Sequence, residues 1–156
     1  MYDPIHPLVA ELLKDLGKVL REFDVDFFLV GAIARDIRLG AHEQFRATRR
    51  TNDVDMAILM GSEDQFHNVK EALLATGDFA AHPIEPIKLL YKAAVELDLL
   101  PFGDIENEER ETRLQKPRLF VMDMPGFQEV LPHAEIMELG DGVQCKISSF
   151  GRNGHV

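Results

Sequence analysis

The chain has 156 residues, of which 46% are hydrophobic and 28% are charged, a composition typical of one globular domain with its own core. Its formal net charge of −10 argues against nonspecific nucleic-acid binding through overall charge, but leaves room for a local basic patch. No apolar stretch is long enough to span a membrane, and the N-terminus lacks the features of a signal peptide. The single cysteine, Cys145, cannot form an internal disulfide, so the sequence indicates a cytoplasmic protein with no membrane partner.

The first part of the chain alternates between helix and strand. Pro7 suits the first turn of a helix, and Gly40 suits the position just after a helix ends. Combined with the spacing of the apolar residues, these signals predict a helix over 6–23, a buried strand over 27–31, a helix over 32–39, a polar loop over 41–51 and a strand over 53–60.

The second part begins with a helix and continues as a run of strands. Ser62 and Gln65 have the spacing of a capping box, and Gly77 is expected to end the helix that they open. Beyond it, the sequence predicts strands near 87–91, 95–101, 118–122, 127–131, 134–139 and 143–147, with the acidic segment 103–111 solvated and the last two strands paired through a turn over 140–142.

This order of elements predicts an α+β fold in which helices flank a mixed β-sheet. The predicted domain covers residues 1–147. The glycine-rich, polar segment 148–156 is expected to be a frayed tail.

Asp53 and Asp55 lie two residues apart in a predicted strand, so both side chains should point to one face of the sheet. Two ionised carboxylates at this distance repel each other, and a divalent cation such as Mg²⁺ would relieve the repulsion because it prefers hard oxygen ligands. The alternative is a solvated strand end with no bound ion. Asp98, in the predicted strand over 95–101, could join the pair if that strand lies beside 53–60.

Two further features suit the binding of phosphate. Gly31 follows a strand and precedes a predicted helix, whose N-terminal N–H groups and dipole favour an anion. A cluster of arginines comes before the aspartates and either belongs to a solvated loop or contacts a triphosphate or an RNA backbone: Arg46, Arg49 and Arg50.

Together these stretches resemble the nucleotidyltransferase superfamily that includes DNA polymerase beta. The pattern of that superfamily is a small-residue turn that opens a helix, an hD-x-Dh strand and an hDh motif on a later strand. The matching stretches here are Gly31-Ala32, "NDVDMAI" and "ELDLL". Within the superfamily the chain is most similar to AbiEii-type nucleotidyltransferases, the toxin halves of bacterial toxin–antitoxin systems, through "GAIARD", "RATRRTNDVDMAI" and "ELDLLPFG".

The resemblance implies transfer of an NMP from an NTP to an acceptor hydroxyl, with RNA as one candidate acceptor. It implies a catalytic and metal-binding triad of Asp53, Asp55 and Asp98 that holds Mg²⁺ or Mn²⁺. It implies an antitoxin or a second copy of the chain as a protein partner. The residues expected to bind the nucleotide are Gly31, Ala32, Arg35, Arg46, Arg49 and Arg50.

A second likeness leaves alternatives open. The stretch "FFLVGAIARDIRLG" resembles the start of tRNA CCA-adding enzymes and bacterial poly(A) polymerases, which implies that Arg35 and Asp36 belong to a nucleotide-binding head. Ala32 stands where these families usually have Gly or Ser. They also continue into a helical C-terminal region, which is expected to be missing from this chain. The alternative function is therefore a catalytically incomplete nucleotidyltransferase-fold module that acts by protein interaction.

Overall fold

The computed structural model describes residues 7–30, 53–124, 126–138 and 144–147. Its helices are α1 (Pro7–Glu22), α2 (Glu63–Ala75) and the single-turn α3 (Phe127–Val130), which a 3₁₀ turn over Leu131–His133 extends. Its strands are β1 (Phe27–Val30), β2 (Asp53–Leu59), β3 (Phe79–Ala81), β4 (Lys88–Tyr91), β5 (Val95–Phe102), β6 (Glu111–Leu114), β7 (Phe120–Asp123), β8 (Glu135–Glu138) and β9 (Gln144–Ile147).

Seven strands form one mixed sheet in the order β3-β4-β5-β2-β1-β9-β8, and β6 pairs with β7 in a separate two-stranded sheet. β2 lies between β1, to which it is antiparallel, and β5, to which it is parallel. The strand that carries Asp98 therefore lies beside the strand that carries Asp53 and Asp55, which is the condition for Asp98 to join the pair. β8 and β9 pair antiparallel, as expected from the sequence.

The helices α1 and α2 cover one face of this sheet and build the larger core. Leu12, Leu16 and Leu20 are fully buried along one side of α1. They belong to the same buried cluster as Val54 and Met56 of β2, whose side chains point to this face of the sheet. The amphipathic pattern of the first helix therefore predicted correctly which of its residues are inside.

The ends of α2 are set by local chemistry that the sequence displays. The hydroxyl of Ser62 accepts a hydrogen bond of 3.2 Å from the backbone N–H of Gln65, as the capping box predicts. The side chain of Gln65 accepts in return from the N–H of Gly61, one residue before the expected partner, at 2.7 Å. After the C-cap residue Thr76, Gly77 has φ +88°, the left-handed conformation that glycine adopts without strain.

A smaller apolar cluster occupies part of the opposite face of the sheet. We call it the Phe28–Phe102 cluster; its buried members are Phe28, Val30, Ala57, Phe102, Met124 and Val130. The rings of Phe28 and Phe102 meet edge to face with centroids 5.6 Å apart, and Phe127 of α3 packs on both rings. The single turn of α3 thus covers this half of the face.

The strand predicted over 127–131 is wrong, because this segment is α3 and the turn after it. Phe127, Val130 and Leu131 are spaced i, i+3 and i+4, which places all three on one helical side, toward the Phe28–Phe102 cluster. The short strands β3 and β6 were not predicted. In β6, charged residues alternate with the buried Thr112 and Leu114 over only four residues, too short a run to be distinguished from a loop.

Four predictions lie outside the described residues: the helix over 32–39, the loop over 41–51, the turn over 140–142 and the tail over 148–156. Across the ranges that the structure does describe, no helix combines the length and apolar character needed to cross a membrane. The α+β class is confirmed by the helices and the mixed sheet of these ranges.

Candidate active site

The candidate site lies on the face of the sheet opposite α1 and α2, next to the Phe28–Phe102 cluster. Along β2, Val54 and Met56 are buried in the larger core, whereas Asp53 is exposed and Asp55 is half-buried on the other face. Farther along β2 on that face, Ala57 belongs to the apolar cluster. The face therefore changes from carboxylate to apolar within a few residues of one strand.

The pairing of β2 with β5 brings the third aspartate to the first two. Asp55 is directly opposite Asp98, and Asp53 is opposite Glu96. Partners in register on neighbouring strands point to the same face, and the strands lie about 4.8 Å apart. We call Asp53, Asp55, Glu96 and Asp98 the carboxylate cluster.

Burial and mutual repulsion make Asp55 hard to ionise. Val30 of β1 is directly opposite Asp55 and is itself buried, so Asp55 borders apolar surface on the side of β1. Burial, followed by the negative charges of Asp98 and Asp53, raises the pKa of Asp55 to about 6. Burial and the charge of Glu96 also raise the pKa of Asp53.

Lys88 of β4 is a member of the site that the sequence analysis missed. It is in register with Asp98, so Lys88, Asp98 and Asp55 form one row across three strands. Its Nζ lies 3.0 Å from Asp98 Oδ1 and donates a hydrogen bond of 3.1 Å to Glu96 Oε1. Burial lowers the pKa of Lys88, but the contacts with Asp98 and Glu96 outweigh this effect and raise it above the ordinary lysine value.

Asp98 keeps an oxygen available despite this ion pair. Its Oδ1 is buried, and no described residue gives it a hydrogen bond, because the 3.0 Å approach of Lys88 lacks hydrogen-bond geometry. A buried carboxylate oxygen without a hydrogen bond loses the solvation of water, and here only the charge of Lys88 compensates for part of that loss among the described residues. It is therefore well disposed to accept a donor or a cation.

The donor set is chemically suited to a hard divalent cation. Asp53, Asp55 and Asp98 offer carboxylate oxygens on one face, and a cation there would offset the repulsion that raises the pKa of Asp55. In the arrangement described, Lys88 already pairs with both Asp98 and Glu96 and offsets one of their two negative charges. Within the described ranges, no group of three or more His, Cys, Asp or Glu side chains is arranged to hold a metal ion. The residue types fit Mg²⁺, and their side chains would have to turn to bind it.

The nucleotide-binding residues expected from the sequence all fall outside the described residues: Gly31, Ala32, Arg35, Arg46, Arg49 and Arg50. Asp36, implicated by the second likeness, falls outside them as well. The residue before Gly31, Val30, is paired with Asp55. The role of these residues stays a prediction.

The position of Lys88 in the site depends on a strand register that the sequence does not reveal. The register that pairs Lys88 with Asp98 is set by the turn between Tyr91 and Val95, which are also paired. Lys92 and Ala93 in this turn adopt φ +50° and +57°, a conformation usually indicated by Gly or Asn. The two strands were predicted, but without such residues the pairing of Lys88 with Asp98 across the turn could not be recognised from the sequence.

Ionisation of Asp55 should make the metal-free protein less stable as pH rises. The folded state keeps a proton up to about pH 6, whereas the unfolded chain releases it near 3.8. The free energy of unfolding should therefore fall between these pH values and level off above them. The shift corresponds to about 3 kcal/mol, which solvent screening of this partly exposed group should reduce to roughly 1–2 kcal/mol.

Asp55→Asn should remove this decline. With EDTA present, urea unfolding at pH 7 should show the variant to be about 1–2 kcal/mol more stable than the wild type, and the two should converge below pH 4. Asp104→Asn, at an exposed loop position, is the matched control and should not change the pH profile. A wild-type stability that is flat or rising between pH 4 and 6, with no gain in Asp55→Asn, would contradict this prediction.

Solved structures share this arrangement of helices and sheet. The antibiotic-resistance factor ANT(2'')-Ia is 17% identical with a TM-score of 0.50, over 90% of this chain and 65% of that one. The lincosamide antibiotic adenylyltransferase LnuA, bound to lincomycin, is 14% identical with a TM-score of 0.50, over 96% of this chain and 84% of that one. A CCA-adding enzyme in complex with CTP is 22% identical with a TM-score of 0.44, over 64% of this chain.

The chain spans about a fifth of the length of the CCA-adding enzyme, 22% of it. No protein-family model matches the sequence, and no curated protein is significantly similar to it. The α+β architecture expected from the sequence is confirmed by its correspondence with ANT(2'')-Ia and LnuA over nearly the whole chain. The chain shares the fold of ANT(2'')-Ia and LnuA.

Proposed function

We propose that this protein transfers an NMP from an NTP to an acceptor hydroxyl, with a divalent cation at the carboxylate cluster. The observation that carries the proposal is that Asp55 and Asp98 are directly opposite on β2 and β5, with Asp53 on the same face. The fold supports the proposal, because LnuA, a lincosamide antibiotic adenylyltransferase bound to lincomycin, has the same architecture.

Asp53, Asp55 and Asp98 would hold the cation, Mg²⁺ or Mn²⁺. When bound, it would supply positive charge that stabilises the triphosphate as negative charge develops on the leaving pyrophosphate. The acceptor oxygen forms a bond to the α-phosphorus, the bond between that phosphorus and the bridging oxygen breaks, and pyrophosphate leaves. Asp98, whose buried Oδ1 accepts no hydrogen bond from the described residues, would accept the proton of the acceptor hydroxyl.

Residues outside the described ranges complete the proposal. Gly31 and Ala32 would let the phosphates approach the backbone, and Arg35 would contact the nucleotide. Arg46, Arg49 and Arg50 would contact the triphosphate or the phosphates of an RNA acceptor. These roles follow from the sequence pattern and from the position of Val30 opposite Asp55.

Isothermal titration with ATP, CTP, GTP and UTP in the presence of Mg²⁺ tests the proposal directly. At least one of the four should bind to the wild-type chain, and EDTA should abolish that binding. A folded sample that binds none of them would refute the enzymatic proposal. Asp104→Asn serves as the charge-matched control and should bind like the wild type.

The acceptor is proposed to be RNA, in the manner of an AbiEii-like toxin. Incubation with labelled NTPs and purified tRNA would show label on the RNA if this is correct. Labelling of small hydroxyl compounds such as lincosamides, with none on RNA, would instead place the activity with the acceptor class named for LnuA. The same reactions analysed side by side therefore decide between the acceptor classes.

A second candidate is an interaction module that binds an antitoxin or another copy of the chain. Exposed apolar side chains favour it: Leu119 is 56% exposed and Val121 is 41% exposed, both in or beside β7. Light scattering should show an oligomer, or a complex with the partner, that Leu119→Ser and Val121→Ser weaken. A strict monomer that binds NTP tightly would count against this candidate.

A further inference from the structure

Lys88 is placed where it competes with a cation for the same carboxylate oxygen. Its Nζ lies 3.0 Å from Asp98 Oδ1, the atom that is buried and accepts no hydrogen bond from the described residues. The side chain of Lys88 is only 19% exposed, so its charge is held inside the cluster. An ammonium group and a divalent cation cannot both occupy the contact position beside one buried oxygen.

Glu96 is a second ion-pair partner for Lys88. Lys88 donates a hydrogen bond with good geometry to Glu96 Oε1 at 3.1 Å, in addition to its contact with Asp98. Glu96 is 44% exposed and lies on the same strand and face as Asp98, at the outer side of the cluster. If the contact with Asp98 were lost, the ammonium group of Lys88 would therefore still be paired with Glu96.

The balance of charge favours a move of the Lys88 ammonium group from Asp98 to Glu96 only when a divalent cation is bound. Among the described residues, Lys88 is the cation that pairs with the carboxylate cluster, through Asp98 and Glu96. Without it, none of the described residues would pair a positive charge with the carboxylates of Asp55 and Asp98, which face each other. With a divalent cation bound, a lysine still in contact with Asp98 would repel it.

We infer that Lys88 and a divalent cation are alternative partners of Asp98, and that Glu96 receives the Lys88 ammonium group when the cation binds. Lys88 is thus a positioning residue that keeps the empty site closed and sets a low affinity for the free ion. The inference rests on the cation site of the proposed function.

The test measures binding of Mn²⁺ alone, without nucleotide, to the full chain at pH 8, from the loss of the paramagnetic resonance signal of the free ion. Lys88→Met keeps the aliphatic part of the side chain and removes the charge. It should bind Mn²⁺ at least about tenfold more tightly than the wild type, because a positive charge next to the ion is lost. Lys92→Met is the control: its Nζ pairs with Glu11, away from the cluster, and its Mn²⁺ affinity should equal that of the wild type.

The role of Glu96 is tested by the same titration. Glu96→Gln should weaken Mn²⁺ binding in the wild-type background, because Lys88 would lose its alternative partner. The weakening should be clearly smaller in the Lys88→Met background, where only the lost charge of Glu96 acts. Asp98→Asn should remove the gain produced by Lys88→Met.

The inference would be overturned if Lys88→Met bound Mn²⁺ no more tightly than the wild type. Absence of detectable binding by both proteins would overturn it as well. An equal effect of Glu96→Gln in both backgrounds would also overturn the role of Glu96. If circular dichroism shows that Lys88→Met does not fold, Lys88→Gln takes its place with the same expected direction. Nucleotide transfer is assayed separately, so failure of the proposed reaction would not be mistaken for failure of the cation exchange.

Discussion

Asp55→Asn should lower Mg²⁺-dependent nucleotide binding by at least about a hundredfold, because it removes a negative ligand from the centre of the carboxylate cluster. Asp55 lies between Asp53 on its own strand and Asp98 on the next, so no other carboxylate can replace it at the same point of the face. The substitution is isosteric and relieves repulsion that raises the pKa of Asp55, so the fold should be retained.

Titration calorimetry of the variant with the nucleotide that the wild type binds, with and without Mg²⁺, checks this result. Urea unfolding of the same sample separates lost binding from lost structure. Asp104→Asn removes the same charge from an exposed loop and should leave binding intact. Binding by Asp55→Asn within a fewfold of the wild type would leave Asp53 and Asp55 as a solvated strand end, the alternative that the sequence left open.

Phe102→Ala should cost about 3–5 kcal/mol of unfolding free energy, the largest stability effect that we expect from a single substitution near the site. Phe102 ends β5, is fully buried, and packs on the rings of Phe28 and Phe127. Alanine would leave a cavity between the sheet and α3, which a single helical turn has little means to close. The loss corresponds to a decrease in melting temperature of roughly 10–15 °C for a chain of this size.

Urea unfolding at low temperature gives the free-energy difference. Leu119→Ala, at a position that is 56% exposed, is the control and should change stability by no more than about 0.5 kcal/mol. A loss below 1 kcal/mol in Phe102→Ala would mean that α3 does not cover this half of the sheet. The Phe28–Phe102 cluster would then not explain why Asp55 is half-buried.

The sequence by itself determined the elements whose signals are local. The helical spacing of Leu12, Leu16 and Leu20 specifies the buried side of α1, and Ser62 with Gln65 specifies the start of α2. Alternation along β2 was sufficient to place Asp53 and Asp55 on one face, because the period of a strand is two residues. The same rule placed Asp98 on a single face of its own strand.

Tertiary structure determined which residues of the neighbouring strands lie beside those on each face. The parallel pairing of β2 with β5 joins segments about forty residues apart, and no local signal states that Asp55 will be opposite Asp98. The pairing of Lys88 with Asp98 is set by a turn in which Lys92 and Ala93 adopt left-handed backbone conformations. Because these residue types do not indicate such a turn, the pairing could not be predicted from the sequence.

The same distinction explains the segment 127–131. Its short apolar run is compatible with strand or helix, and only packing against Phe28 and Phe102 selects the single helical turn of α3. The sequence therefore determines the carboxylates and the face on which each one lies. Tertiary packing determines that they meet beside an apolar cluster and that Lys88 joins them, because the strands that carry them are paired by the fold and not by their neighbours in the chain.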